Sequence, residues 1–235
     1  MAHIITRDGD QSDAEIWEAT PKPLDEYLRD FARLVAQHEM GHYVLARRLG
    51  FTTGDVTIEL LDWRGGRRGG AAIELAQAIT KPDDVAEYLR RRVIVLYGGG
   101  VAEALPRYGS PSKTVDVESA ADIIRNPGQG AEQDHAKAKE LIHLLRNLVH
   151  PETPPLETDR IQSELAALDT QLFERTVELV EADADVILEL ARKLIDGVKE
   201  VKVPFVLSAE KLGGLPAVQK LAGISVPVIQ PDTRP

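Results

Sequence analysis

The chain has 235 residues, 43% of them hydrophobic, and a formal net charge of −10. That length supports one sizeable core, or a core with a helical subdomain. The acidic balance argues against a nucleic-acid binder, which needs a basic face for phosphate contacts, and the absence of cysteine excludes disulfides and thiolate metal sites. Any metal must therefore be held by histidine and carboxylate. The opening residues, Met1-Ala2-His3-Ile4-Ile5-Thr6-Arg7-Asp8, lack a signal-peptide pattern. No stretch approaches the roughly 20 apolar residues of a membrane span. A soluble, cytoplasmic protein is the expectation.

Residues 1–20 are polar and acidic and read as a loose arm. Thr20-Pro21-Lys22-Pro23 is a helix-start signal. Leu24, Tyr27, Leu28, Phe31, Leu34 and Val35 then recur at helical spacing, the pattern continues to Leu49, and Gly50 ends it. Inside this helix lies His38-Glu39-Met40-Gly41-His42. Residues four apart stack on one helix face, so His38 and His42 offer two imidazoles to one zinc ion. Glu39 projects beside them, where a carboxylate can take a proton from zinc-bound water. Gly41 costs about 1 kcal/mol relative to alanine in mid-helix, a cost explained if a backbone or substrate passes close by.

Residues 55–60 alternate as a half-buried strand. Residues 64–70 read as a turn whose three arginines keep the tip solvated, with a return strand at 71–75. Pro82 opens a second long helix over 83–105, which contains Gly98-Gly99-Gly100, a costly run unless something packs tightly there. The Pro- and Gly-bearing segment 106–128 surrounds a short helix at 117–124, and a third long helix spans 131–149. Pro151, Pro154 and Pro155 mark a linker. Residues 160–202 are amphipathic and helical as two helices, and Ser208 caps a last short helix before a Pro-rich tail. The implied organisation is an arm at 1–20, a core at 21–150, a C-terminal helical region at 151–222 and a tail at 223–235.

A catalytic zinc takes a third protein ligand and keeps a position for water. The extended pattern with a third histidine just downstream fails, because Leu45 and Arg48 stand where its Gly and His belong. Glu74, Glu103, Asp134 and Glu140 remain, with His3, His135, His143 and His150. His135, His143 and His150 read as plain helix-surface histidines. Asp134 is favoured by position, because a helix holds a carboxylate more rigidly than a loop. It also suits an ordinary first-turn acid stabilised by the helix dipole.

His38 to His42, Asp55-Val56-Thr57-Ile58, Leu96-Tyr97-Gly98-Gly99-Gly100-Val101-Ala102-Glu103 and Gly130-Ala131-Glu132-Gln133-Asp134 occur in that order. The series resembles the protease domain of FtsH, the ATP-dependent membrane zinc protease. That family shows H-E-A-G-H, a V-T-I strand, an L-x-G-G-R-x-A-E helix and G-A-S-N-D, and the similarity covers roughly residues 30–205. The resemblance implies a mainly α fold: a helical, zincin-like metalloprotease domain with a small β-hairpin and a C-terminal helical subdomain. It implies Zn2+ held by His38, His42 and Asp134, with Glu39 as the catalytic base. Glu103 would support one of the ligands from behind or serve as the alternative ligand.

The departures are Gly100 for the family's Arg, Glu132-Gln133 for its Ser-Asn, and 92 positions between His42 and Asp134, longer than is usual there. The chain also carries no G-x-x-x-x-G-K-[ST] phosphate loop and nothing resembling an ATPase module or membrane anchor ahead of the protease-like part. The expected activity is therefore ATP-independent endopeptidase cleavage of unfolded or flexible polypeptides. By resemblance the chain would assemble as a hexamer. A reading of another class is a catalytically silent zinc-binding subunit that joins a separate ATPase or other partner; the intact Glu39 favours the enzyme. An extended substrate would pair with the edge of either strand, and the sequence leaves open which of them lies beside the metal.

Overall fold

The computed structural model describes residues 24–61 and 66–221. The expected arm at 1–20, the Thr20–Pro23 signal, His3, the tip of the arginine turn and the tail at 223–235 lie outside those residues. Helix α1 (Glu26–Arg48) starts from Asp25, whose carboxylate accepts the Leu28 N–H at 2.8 Å. That bond satisfies a donor the first helical turn leaves orphaned. At the far end Gly50, at φ +79°, turns the chain out of the helix.

Strands β1 (Thr52–Leu60) and β2 (Arg67–Glu74) pair antiparallel, with Leu60 opposite Arg67 and Thr52 opposite Glu74. Val56, Ile58 and Leu60 point inward and are fully buried, as strand alternation requires. Both strands begin earlier than the sequence pattern suggests. Arg67 and Arg68 are strand residues, not part of a solvated turn, because pairing with Leu60 and Glu59 fixes their backbone despite the surrounding glycines. A third strand, β3 (Phe205–Leu207), pairs antiparallel with the other side of β1, so the hairpin is part of a sheet ordered β2-β1-β3. Three residues carry too little alternation to announce a strand. The outer edge of β2 has no strand partner among the described residues.

The remaining helices are α2 (Pro82–Glu103), α3 (Val117–Arg125), α4 (Glu132–Val149), α5 (Thr158–Ala182), α6 (Ala184–Gly197), α7 (Ala209–Gly213) and α8 (Pro216–Gln219). The fold is mainly helical with one small antiparallel sheet. The helical run after the linker stops at Gly197 and does not reach residue 202. Lys202 has left-handed backbone (φ +66°), and its N–H bonds the Leu60 carbonyl at 2.7 Å, so the chain turns here toward the sheet. Ser208 caps α7 as expected, but α8 follows it before the tail.

Helix α1 is the central rod, packed by α2, by α6 and by the sheet. Leu172, Val180, Ile187 and Leu188 of α5 and α6 share one buried apolar cluster with Val44, Leu45 and Val93. Asp183, between α5 and α6, accepts two bonds from Arg48 at 2.6 and 2.7 Å and ties the end of α1 to that junction. No helix among the described residues is long and apolar enough to cross a membrane.

Candidate metal centre

Helix α2 crosses α1 at the His-Glu-x-x-His turn, and glycine makes the crossing possible. A Cβ on Gly41 would lie 2.2 Å from the Gly98 carbonyl oxygen, and one on Gly98 would lie 2.7 Å from Leu45 Cδ1. On Gly99 it would stand 2.5 Å from His42 Nε2 and 2.7 Å from His38 Nε2; on Gly100, 2.6 Å from Ile124 Cγ1. Three glycines cost roughly 3 kcal/mol of helix propensity relative to alanine. What they secure is a backbone pressed against both imidazoles.

That closeness orients the rings. His42 Nδ1 donates to the Val95 carbonyl of α2 at 2.8 Å, and His38 Nδ1 donates to Glu103 Oε2 at 3.1 Å. With each Nδ1–H committed, the Nε2 atoms present their lone pairs in the neutral tautomer. Both turn toward Asp134, whose Oδ2 lies 3.1 Å from His42 Nε2 and 3.6 Å from His38 Nε2. Metal bonds of 2.0–2.1 Å in a tetrahedron set ligand atoms roughly 3.3 Å apart, and the two observed spacings bracket that value. The donors are two imidazoles and a carboxylate, a set that suits zinc and, with other affinities, neighbouring divalent metals.

The electrostatics favour a cation at this point. Burial works against a charged His38, yet its bonds to Asp134 and Glu103 and the charge of Glu39 outweigh that and raise its pKa to about 9. For Asp134 burial acts upward, but the bonds from His38 and His42 hold it far below the usual carboxylate range. In its charged form, without metal, His38 carries a proton on Nε2 beside Asp134, and a metal ion would have to displace that proton to take the lone pair.

Asp134 comes from the first turn of α4, and the loop before it is built to deliver it. Gly128 and Gly130 both have positive φ, and their N–H groups donate to the Glu132 carboxylate. Arg67 of β2 fastens this loop to the rest of the site. Its guanidinium donates to the Gln129 carbonyl at 2.8 Å and sits 3.6 Å from Glu103 Oε1. One side chain thus links the sheet, α2 and the loop before α4. Glu103 Oε2 meets His38 at Nδ1, the ring nitrogen that faces away from Asp134. Gln37, fully buried, donates to the carbonyls of Ala102 and Leu105 and locks the end of α2 to α1.

Glu39 is buried, and its carboxylate lies against Gly69 of β2, where a Cβ would come within 2.3 Å of Oε1. The strand beside the His38–His42–Asp134 cluster is therefore β2, the question the sequence left open. His38, Glu39, His42 and Asp134 line one cleft of about 500 Å³ with Gly69, Gly70, Ala71 and Arg92. Of the other residues weighed from the sequence, Glu74 is exposed at the end of β2, and Glu140 and His143 are exposed on α4. His135 lies near Arg125 and Asp169, with burial and Lys139 lowering its pKa, and His150 lies 3.9 Å from Glu152 and Glu164. Among the described residues, His38, His42 and Asp134 are the group whose ligand atoms lie within 4.8 Å of one another.

Sequence reasoning missed Arg67, Gln37 and Arg92. Strand alternation would have separated inward Arg67 from Arg68, which is 74% exposed, had the strand been recognised that far. Gln37, next to His38 on a buried helix, carried a usable signal: an uncharged polar residue in an apolar setting needs bonding partners. No protein-family profile matches the chain.

Proposed function

We propose that the chain is a zinc-dependent endopeptidase resembling the FtsH protease domain, acting on unfolded or flexible polypeptides. The observation that carries this reading is the convergence of His38 Nε2, His42 Nε2 and Asp134 Oδ2 in one cleft with Glu39 and the free edge of β2. A zinc ion on the three ligands would supply a Lewis acid and lower the pKa of a water to about 7. Glu39 takes the proton of the attacking water and returns it to the leaving amine, so it ends the cycle as it began. Gly69 and Gly70 leave the backbone of β2 open beside Glu39, and an extended peptide pairs with that edge through main-chain bonds. Edge pairing requires an unfolded segment and no nucleotide, which makes ATP dispensable for such substrates. Glu103 and Arg67 keep His38 and the loop before Asp134 in register with that edge.

The test is hydrolysis of unfolded casein without ATP, comparing wild type with Glu39→Gln at matched zinc content. Wild type is expected to cut. The variant should hold zinc and lose activity by about 100-fold or more, the range for removing a general base. Zinc binding without cleavage by wild type would instead support the silent, partner-joining subunit. Strict ATP dependence would remove the ATP-independent part of the proposal.

A further inference from the structure

Arg92 is the basic residue of the cleft that the site's own structure does not use. Arg67 is engaged by Glu103 and the Gln129 carbonyl, and Arg68 leans on Glu59 at 3.5 Å and is mostly exposed. Lys137 stands 3.9 Å from Asp134 and is more than half exposed. Arg92 is only partly exposed, lines the same cleft, and makes no hydrogen bond or ion pair with any described residue. Its position is not accidental. Residues 92, 96, 99 and 103 fall on one face of α2. Leu96 lines the cleft, Gly99 abuts both imidazoles and Glu103 holds His38. Arg92 thus stands two helical turns before Gly99, about 10 Å along the axis.

The Arg92 guanidinium is partly buried, and with no partner among the described residues its donors are open to a group that enters the cleft. Burial lowers its pKa, opposed by the charge of Asp134, and no carboxylate among the described residues is bonded to it. A planar fork of donors in such a place is matched by one ligand group above others: a carboxylate bound through two parallel bonds.

We propose that Arg92 is the specificity-determining residue of the cleft and binds a substrate carboxylate close to the scissile bond. This rests on the peptidase reading. The carboxylate comes from an Asp or Glu side chain or from the free C-terminus of the polypeptide, and both present the same group to the same fork.

The test uses internally quenched peptides that differ only by Glu or Gln at successive positions, each with a free or an amidated C-terminus. Zinc-loaded wild type, Arg92→Gln and Arg92→Lys are compared. Wild type is expected to favour Glu over Gln at one position, or the free over the amidated end, by about 10- to 100-fold in kcat/KM. Which contrast appears names the source. In Arg92→Gln the preference collapses to near parity, and Arg92→Lys restores part of it through charge without the fork. A wild type indifferent to both contrasts, or an Arg92→Gln that keeps the preference, overturns the proposal. So does an equal loss of kcat on every peptide, which would make Arg92 a stabiliser of transition-state charge. A second readout is anisotropy of fluorescein-labelled Glu and Gln peptides on Glu39→Gln, with and without Arg92→Gln. If wild type cleaves no peptide, the peptidase reading fails. Tighter binding of the acidic peptide that depends on Arg92 would then still uphold the carboxylate site, and equal binding would sink it.

Discussion

Helix α1 is packed on two sides by opposite means. On one side it packs against α6, whose Ile187, Leu188, Leu190 and Leu194 are all buried and apolar. Against α2 it meets three successive glycines, a carbonyl and a carboxylate. The first contact removes apolar area from water, worth about 1.5–3 kcal/mol per large side chain. The second gives up side-chain burial and helix propensity so that two imidazoles sit against a backbone. Stability and chemistry are thus held on different faces of one rod, and substitutions on the two faces should separate them.

The largest effect is expected at Gly99. Gly99→Val places carbon where His38 Nε2 and His42 Nε2 now lie, and the rings cannot turn away because their Nδ1 atoms are held by Glu103 and Val95. Zinc binding by calorimetry should be lost. A Gly99→Val protein that binds zinc like wild type would break the comparison. On the other face, Leu188→Ala should lower unfolding stability by about 2–5 kcal/mol. Zinc stoichiometry of its folded fraction should stay as in wild type. A change in metal affinity there would show that the two faces are coupled.

Glu103→Ala comes next. It removes the acceptor of His38 Nδ1 and leaves Arg67 without its carboxylate. Zinc affinity should weaken about 10- to 100-fold, the usual cost of losing such a support. An unchanged affinity would mean that the glycine seam alone orients the ring.

The smallest expected effect is a pH trend in the metal-free protein. The His38 pKa is raised from its ordinary 6.5 to about 9, so its contribution to stability is full below 6.5 and is lost as pH rises through 9. The Asp134 pKa is depressed, so its contribution is present above the ordinary carboxylate value and fades only in strong acid. The melting temperature of the metal-free protein should therefore fall between pH 6.5 and 9. Zinc should compete better across the same interval, because fewer of these sites hold a proton. A melting temperature that rises over that interval would contradict the cluster.

The helices were legible in the sequence because each rests on local spacing and punctuation. Gly50, Pro82 and Ser208 act within a turn or two of themselves, whereas the cap at Asp25 was not singled out. The pairing of His38 with His42 was legible for the same reason, since four residues bring a helix back to the same face. What the sequence by itself determined is therefore the existence of helices α1 to α7, the two imidazoles on one face and the carboxylate beside them. The tertiary structure decided that Asp134 meets His42 across 92 positions, and that Glu103 takes the back of His38 across 65. It also decided that β2 is the strand at the cleft, that Arg67 belongs to the site, and that β3 completes the sheet. The physical reason is range: the helical rise fixes neighbours a few residues apart, whereas contacts between distant segments exist only once α2, the sheet and α4 have packed around α1.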